Sequence, residues 1–180
     1  MNIYYDTEFL EDGNTIRLIS IGMVREDGKT YYAVIEDEEL ITDAIAHPWL
    51  RANVVNSLPV TIRATGEWVW NKNHPDHKNL KTRSEVAYEV KKFLGDIDPE
   101  LWAYYSAYDH VALCQLWGRM IDLPNGIPMY TNDIKQEIVR LGSPRIPEQK
   151  SGNHNALEDA KWNKEVMEYL RSQPWYQNLN

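Results

Sequence analysis

The segment Thr15-Ile-Arg-Leu-Ile-Ser-Ile-Gly-Met-Val24 constrains the fold more than any other, because it is apolar on both faces of an extended chain. A strand at the centre of a sheet, covered on both sides, satisfies that pattern. Residues 2–8 read as a strand before it, with Tyr4, Asp6 and Glu8 on one face and Ile3, Tyr5 and Thr7 on the other. Glu11-Asp-Gly-Asn14 turns the chain between the two, and Asp27-Gly28 marks a tight hairpin into a third strand over 29–36. The domain therefore opens with three antiparallel strands.

The remainder alternates. Helical stretches are predicted over 38–46 and 48–56, followed by a Pro/Asn/Gly-containing region to about 81 that carries no firm periodicity. Thr82-Arg-Ser-Glu85 fits a capping box, and Val86, Val90, Phe93 and Leu94 follow at helical spacing until Gly95. A strand over 101–106 leads into a helix over 107–120; a short strand near 128–130 and helices over 132–141 and 155–171 complete the pattern. A three-stranded meander followed by alternating strands and helices gives an α/β architecture with a mixed sheet and flanking helices, an order compatible with a ribonuclease H-like fold. With 180 residues, 43% hydrophobic side chains and seven tryptophans, the chain can build one ample core. A single domain over 1–173 with a tail over 174–180 is expected.

Asp6 and Glu8 share one face of the first strand, where like charges raise each other's pKa unless a cation intervenes. In helix 107–120, Ala112, Leu113, Leu116, Trp117 and Met120 form an apolar stripe that Asp109 continues. A carboxylate heading a buried face needs a cation, a metal or strong donors nearby; the alternative is an exposed acid in the first helical turn, favoured by the helix dipole. Near the carboxyl terminus His154 follows the loop-like Ser151-Gly-Asn, and Asp159 sits within the next helix. Five residues apart in a helix the two would diverge by about 140°, so His154 is placed at or before the helix start, where loop geometry can aim it at a shared cleft. Four carboxylates and an imidazole suit two Mg²⁺ and a general base for phosphodiester hydrolysis. Asp6, Glu8, Asp109 and Asp159 are the expected ligands, and His154 is the expected base. Phe9, Leu10 and Leu18 flank the first pair and either pack in the core or wedge against a terminal base, where stacking is worth roughly 1 to 3 kcal/mol.

A net charge of -8 argues against a protein that coats nucleic acid through its overall field, but not against a cleft whose acids are neutralised by divalent ions. Residues 72–92 hold six Lys or Arg against three acids, which reads as a solvated helix face or an RNA contact. Cys114 is the lone cysteine, the amino terminus lacks a basic region followed by an apolar run, and no stretch of about 18 apolar residues occurs. No membrane partner is expected, and the expected location is the cytoplasm. His74-Pro-Asp-His77 reads as polar loop, and the tryptophans as core or interface.

Asp6-Thr-Glu8, Asp109 and His154-x4-Asp159 together resemble the three motifs of the DEDDh exonucleases in order, spacing and element type. More narrowly, Tyr5-Asp-Thr-Glu-Phe-Leu-Glu-Asp-Gly13, Leu18-Ile-Ser-Ile-Gly22 and Ala107-Tyr-Asp-His-Val-Ala-Leu-Cys-Gln-Leu-Trp-Gly118 resemble the actinobacterial polyadenylate-specific exoribonucleases, the ribonuclease AS group. The resemblance implies a ribonuclease H-like domain and two Mg²⁺, with Mn²⁺ able to substitute. It also implies release of nucleoside 5′-monophosphates from an RNA 3′ end, a preference for poly(A), and a homodimer. Many DEDDh enzymes have Asn four residues before the second-motif Asp, where this chain has Tyr105, so substrate contacts from that point do not carry over. The related DEDDy group would need Tyr at 155, where this chain has Asn155. Two other readings stand beside this one: a DEDDh exonuclease acting on DNA ends, and a catalytically inactive nucleic-acid-binding module.

Overall fold

A computed structural model describes residues 1–95 and 98–177; the last three residues of the expected tail, 178–180, lie outside the described residues. Strands β1 (Asn2–Glu11), β2 (Ile16–Arg25) and β3 (Thr30–Ile35) form the expected antiparallel meander. Helices α1 (Glu38–Ala46) and α2 (Pro48–Asn53) follow, then a hairpin of β4 (Val60–Ile62) and β5 (Trp68–Trp70). The short β6 (Leu80–Lys81) precedes α3 (Arg83–Leu94), whose Thr82/Glu85 capping box is formed as the sequence suggests. Next come β7 (Glu100–Ala103), α4 (Ala107–Cys114), β8 (Asn132–Asp133), α5 (Ile134–Arg140), α6 (Ala156–Ser172) and α7 (Pro174–Gln177).

The main sheet has the order β6-β3-β2-β1-β7-β8, antiparallel among β1, β2 and β3 and parallel at β3-β6, β1-β7 and β7-β8. This is the mixed sheet with flanking helices that the element pattern implies. β2 lies inside it and is buried from Leu18 to Val24, as its two apolar faces require. The two faces of β1 feed different clusters. Ile3 and Tyr5 join the larger core with residues of α1 to α4, whereas Tyr4 joins a smaller one with Ile134, Ile138, Val166, Met167 and Leu170 of α5 and α6.

Helix 48–56 ends at Asn53, and three further boundaries differ from the sequence reading. Helix 107–120 ends sooner: α4 stops at Cys114, one 3₁₀ turn carries the chain to Trp117, and Gly118 at φ 94 breaks it. Ala112, Leu113 and Leu116 are buried as the stripe requires, but Met120 lies beyond the break and is 56% exposed. Strand 101–106 ends at Ala103, and the strand expected near 128–130 forms instead at Asn132–Asp133. Thr131 and Asn132 donate side-chain hydrogen bonds to the Leu101 carbonyl there, so contact with a distant strand, rather than local apolarity, decides the register.

Gly22 sets the spacing of the layers beside β1. It pairs with Asp6, and a Cβ at this position would lie 2.2 Å from the carbonyl carbon and oxygen of Ala156, the first residue of α6. Backbone cannot yield as a flexible side-chain end can, so the amino-terminal turn of α6 reaches β2 only over a glycine. Gly22→Ala is expected to destabilise by about 1–3 kcal/mol or more, as overpacking of a core does. It should also cut activity more than unfolding at the assay temperature accounts for. Thermal melts beside turnover rates check this; an unchanged melting temperature would show that the contact gives way.

A candidate active site of carboxylates

On its β7 side, β1 is paired only over Asn2–Tyr4, because β7 ends at Ala103 and the chain turns away through Tyr104–Ser106. The edge groups beyond that point would be unpaired, yet buried backbone polar groups need partners. Side chains from two helices supply them. Asn163 of α6 donates Nδ2–H to the Tyr5 carbonyl at 2.9 Å. Asp109 of α4 accepts from the Thr7 N–H at 2.8 Å and from the Thr7 hydroxyl at 2.7 Å, both through Oδ1. Strong donors at its head are one of the three settings that the Asp109 position demanded, and with 6% exposure it is not the surface acid of the alternative reading.

On the other face of β1, Asp6 and Glu8 continue the side begun by Tyr4 and meet α6. The side chain of Asn155 caps that helix by accepting from the N–H groups of Leu157 and Glu158, which leaves His154 just outside it in the left-handed region at φ 62. The Asp159 carboxylate ties down this loop: Oδ2 accepts from the His154 N–H at 2.9 Å and Oδ1 from the Gln149 amide at 2.6 Å. Ser57 holds the His154 carbonyl at 2.9 Å, and the Trp49 ring meets the imidazole edge-on at 5.0 Å. The imidazole Nδ1 then lies 4.0 Å from Glu8 Oε1. Atoms of Glu8, His154 and Asp159 suited to a metal all fall within 4.8 Å of one another.

Asp6, Glu8, Asp109, His154 and Asp159 thus line one cleft of about 380 Å³, together with Phe9, Gln149 and an aromatic wall. Leu18 and Leu10 are placed elsewhere. Leu18 is 1% exposed in the core and Leu10 packs against that core, so both take the packing alternative, while Phe9 faces the cleft and its ring lies parallel to Tyr108 at 6.0 Å. Gln149, Asn163, Trp49 and Ser57 were not singled out in the sequence. None of them sits in a motif with the acids, and only the packing of α2, α6 and the segments that flank them brings them in.

The electrostatics are one-sided. The described residues lining the cleft include no Lys or Arg. Lys81 and Arg83 of the basic stretch are engaged elsewhere, Lys81 with Glu89 and Arg83 with the Gln115 carbonyl. Burial, then the charges of Asp109, Glu8 and Asp159, pushes Asp6 well above the usual carboxylate range. Glu8 is pushed up to about 8, by burial first and then by Asp159 and Asp109. Asp109 rises to about 6 through burial despite its Thr7 hydrogen bonds, and Asp159 rises by burial against the pull of Gln149 and the His154 N–H.

Comparison with known proteins agrees across the chain. The family model for a 3′-5′ exoribonuclease Rv2179c-like domain matches residues 1–171. The 3′-5′ exoribonuclease Rv2179c of Mycobacterium tuberculosis (strain ATCC 25618 / H37Rv) is 40% identical over 164 residues, covering 89% of this chain and 88% of its own. In structure the chain resembles E. coli exonuclease I in complex with a dT13 oligonucleotide, with a TM-score of 0.62 at 9% identity, covering 99% of this chain and 42% of that one. It also resembles S. pombe Pop2p in its Mg²⁺- and Mn²⁺-bound form, with a TM-score of 0.53 at 13% identity, over 99% of this chain and 86% of that one. At such identities these likenesses speak for the fold, which is ribonuclease H-like. No described helix is long and apolar enough to cross a membrane.

Raised carboxyl pKa values have a definite sign in folding. The folded chain binds more protons than the unfolded one between the ordinary carboxylate range and about pH 8, so without divalent ions stability falls as pH rises through that window. The displacement of Glu8 from 4.5 to about 8 is worth at most about 5 kcal/mol. Thermal melts in chelator should therefore give a lower melting temperature at pH 8 than at pH 5.5, and Mg²⁺ should restore more at pH 8. Equal melting temperatures at both pH values in chelator would refute the electrostatic account.

Proposed function

The chain belongs to the Rv2179c-like 3′-5′ exoribonuclease family, and on that premise we propose that it releases nucleoside 5′-monophosphates from the 3′ end of single-stranded, adenylate-rich RNA by a two-metal mechanism. The observation that carries this reading is the meeting of Asp6, Glu8, Asp109, His154 and Asp159, from three separate stretches of sequence, in one cleft.

The donor set fits Mg²⁺. It is made of hard carboxylate oxygens, the ligands that this ion prefers, and no Lys or Arg among the described residues lining the cleft relieves their mutual repulsion. Asn163 adds a second sign: its Nδ2 is committed to Tyr5, while its buried Oδ1 has no protein partner and would accept from the water that hydrated Mg²⁺ retains. Asp6, Glu8, Asp109 and Asp159 would hold the ions, and Mn²⁺ should substitute. Ions held there would supply acidity to an attacking water and positive charge to the leaving 3′ oxygen.

The protein's own groups do the rest. His154 takes the proton of the attacking water, and the imidazolium so formed faces the Glu8 carboxylate, to which Nδ1 is already turned at 4.0 Å. Asp159 serves twice, because the carboxylate that lines the cleft also fixes the His154 backbone through Oδ2. Phe9, backed by Tyr108, offers an apolar face to the terminal nucleotide. The preference for adenylate is supported by the resemblance of the first two motifs to the polyadenylate-specific group. A homodimer is supported by the same resemblance and by Met120, Ile121, Met129 and Tyr130, four large apolar residues left exposed after α4. Light scattering is expected to give about twice the chain mass of 21.1 kDa, and a monomer would overturn the homodimer.

End-labelled RNA homopolymers in Mg²⁺ should shorten stepwise from the 3′ end, poly(A) fastest, and remain intact in chelator. His154→Ala should lower turnover by about 10²- to 10⁴-fold while calorimetry still shows Mn²⁺ binding. Digestion of DNA alone, internal cleavage, or equal rates on all four homopolymers would each displace the corresponding part of the reading.

A further inference from the structure

Among the described residues three that are not glycine have positive φ: Tyr105 at 57, Ser143 at 57 and His154 at 62. Tyr105 and His154 both line the cleft. A bulky side chain seldom takes the left-handed region, which Gly, Asn or Asp enter far more readily. The turn at 105 is nevertheless firmly set: the next residue, Ser106, donates its N–H and hydroxyl to Asp133 Oδ2 at 2.9 and 3.2 Å, and Asp133 also caps α5 through Oδ1. Glycine would make the same turn without strain, and the fold gains little from the tyrosine ring, which is 63% exposed.

The ring is not loose. It meets Tyr104 edge-to-face at 4.8 Å, and Tyr104 meets Trp162 in the same manner at 5.2 Å. Trp162 donates its indole N–H to the Pro147 carbonyl and follows Asp159 on α6 by three residues. An aromatic chain therefore braces Tyr105 against the helix that carries Asp159. Among the described residues that line the cleft there is no Lys or Arg, so inside it a bound RNA meets π faces, and cations, Lys150 and Lys161, enter only in the adjoining pocket that shares Gln149 and Trp162.

We propose that Tyr105, held out over the cleft by its left-handed backbone and braced through Tyr104 and Trp162, is a positioning residue whose ring stacks on a nucleobase of the bound RNA. This rests on the exoribonuclease reading above. Local rules of conformation are broken where function asks for it, and here the exposed ring is what the strained turn delivers.

Tyr105→Gly separates the roles. If the ring serves substrate, the variant keeps or raises its melting temperature, because strain is relieved. Its KM for oligoadenylate in Mg²⁺ then rises about 5- to 100-fold, the loss of one base-aromatic stack. In that case kcat stays within about threefold, and Tyr105→Phe keeps the wild-type KM, since the ring alone is needed. Tyr105→Asn, which also tolerates the left-handed region, should repeat the KM effect. An unchanged KM in both the Gly and Asn variants overturns the proposal, as does a melting temperature lowered in both, which would make the ring a structural element. Wild-type protein that hydrolyses no RNA would defeat the exoribonuclease reading itself, whereas wild-type hydrolysis with unaltered variants defeats only the role of Tyr105.

Discussion

Four carboxylates crowded together, with no Lys or Arg among the described residues that line their cleft, are the constraint around which the rest of this structure is arranged. Asp6, Glu8, Asp109 and Asp159 are each raised above the ordinary carboxylate range, with burial the leading cause in every case. Burying them as charges, together with the repulsion that Asp6 and Glu8 feel from the other acids, opposes folding at neutral pH, so something rigid must hold them. The holding is done by backbone. β1 carries two of them on one face, Gly22 lets the first turn of α6 touch β2 directly, and Asp109 replaces the strand partner that β1 loses where β7 ends. Each of these devices would be a defect in an ordinary sheet. Together they place the acids on elements too well packed to move apart.

The same economy governs the loop before α6. Asn155 fixes the helix start, Asp159 draws back the N–H of His154, and Ser57 holds its carbonyl, so the imidazole is aimed by three contacts that do not involve its ring. Trp49 then limits the ring itself. Under the proposed function, a base aimed in this way would lose little freedom when substrate binds, which is the advantage of preorganisation. His154 and Tyr105 bear positive φ on opposite margins of the motif set, one next to α6 and the other next to α4. Two of the three positive-φ residues other than glycine among the described residues thus sit at turns that deliver side chains to the cleft, and the third, Ser143, follows α5.

What could be read in the sequence was what short-range rules determine. The alternation of β1, the two-faced apolarity of β2, the Asp27-Gly28 hairpin and the Thr82/Glu85 box all state their structure within a few residues, and all are present. The five polar residues of the motifs were legible because Asp6 and Glu8 sit two apart on one strand, and Asp109, His154 and Asp159 lie at or near the start of a helix. Residues that serve the site from a distance were not. Gln149, Asn163 and Ser57 act through single hydrogen bonds set by packing, and nothing beside them in the chain announces it. The β4-β5 hairpin was missed for another reason: its strands have three residues each, so that partly buried Trp68 and Trp70 around exposed Val69 give too little alternation to recognise. Leu18 shows the converse limit. It neighbours the motif across the hairpin, but the pairing shifts register between Glu8 and Phe9, and Leu18 lies in the core.

Net charge takes on a different meaning once the cleft is seen. A chain at -8 that spends Lys81 and Arg83 on its own acids and carbonyls has not been built to hold a polyanion by its field. Under the proposed function, attraction for the phosphate is concentrated where two divalent ions would sit, and grip along the strand falls to rings such as Phe9, Tyr105 and Tyr108. Stacking on rings tolerates translation from one base to the next, and a local ion site acts on one phosphate at a time. A nuclease that shortens a strand by single nucleotides needs that combination: firm hold on the terminal linkage, and a hold on the remainder weak enough to be broken and remade at each step.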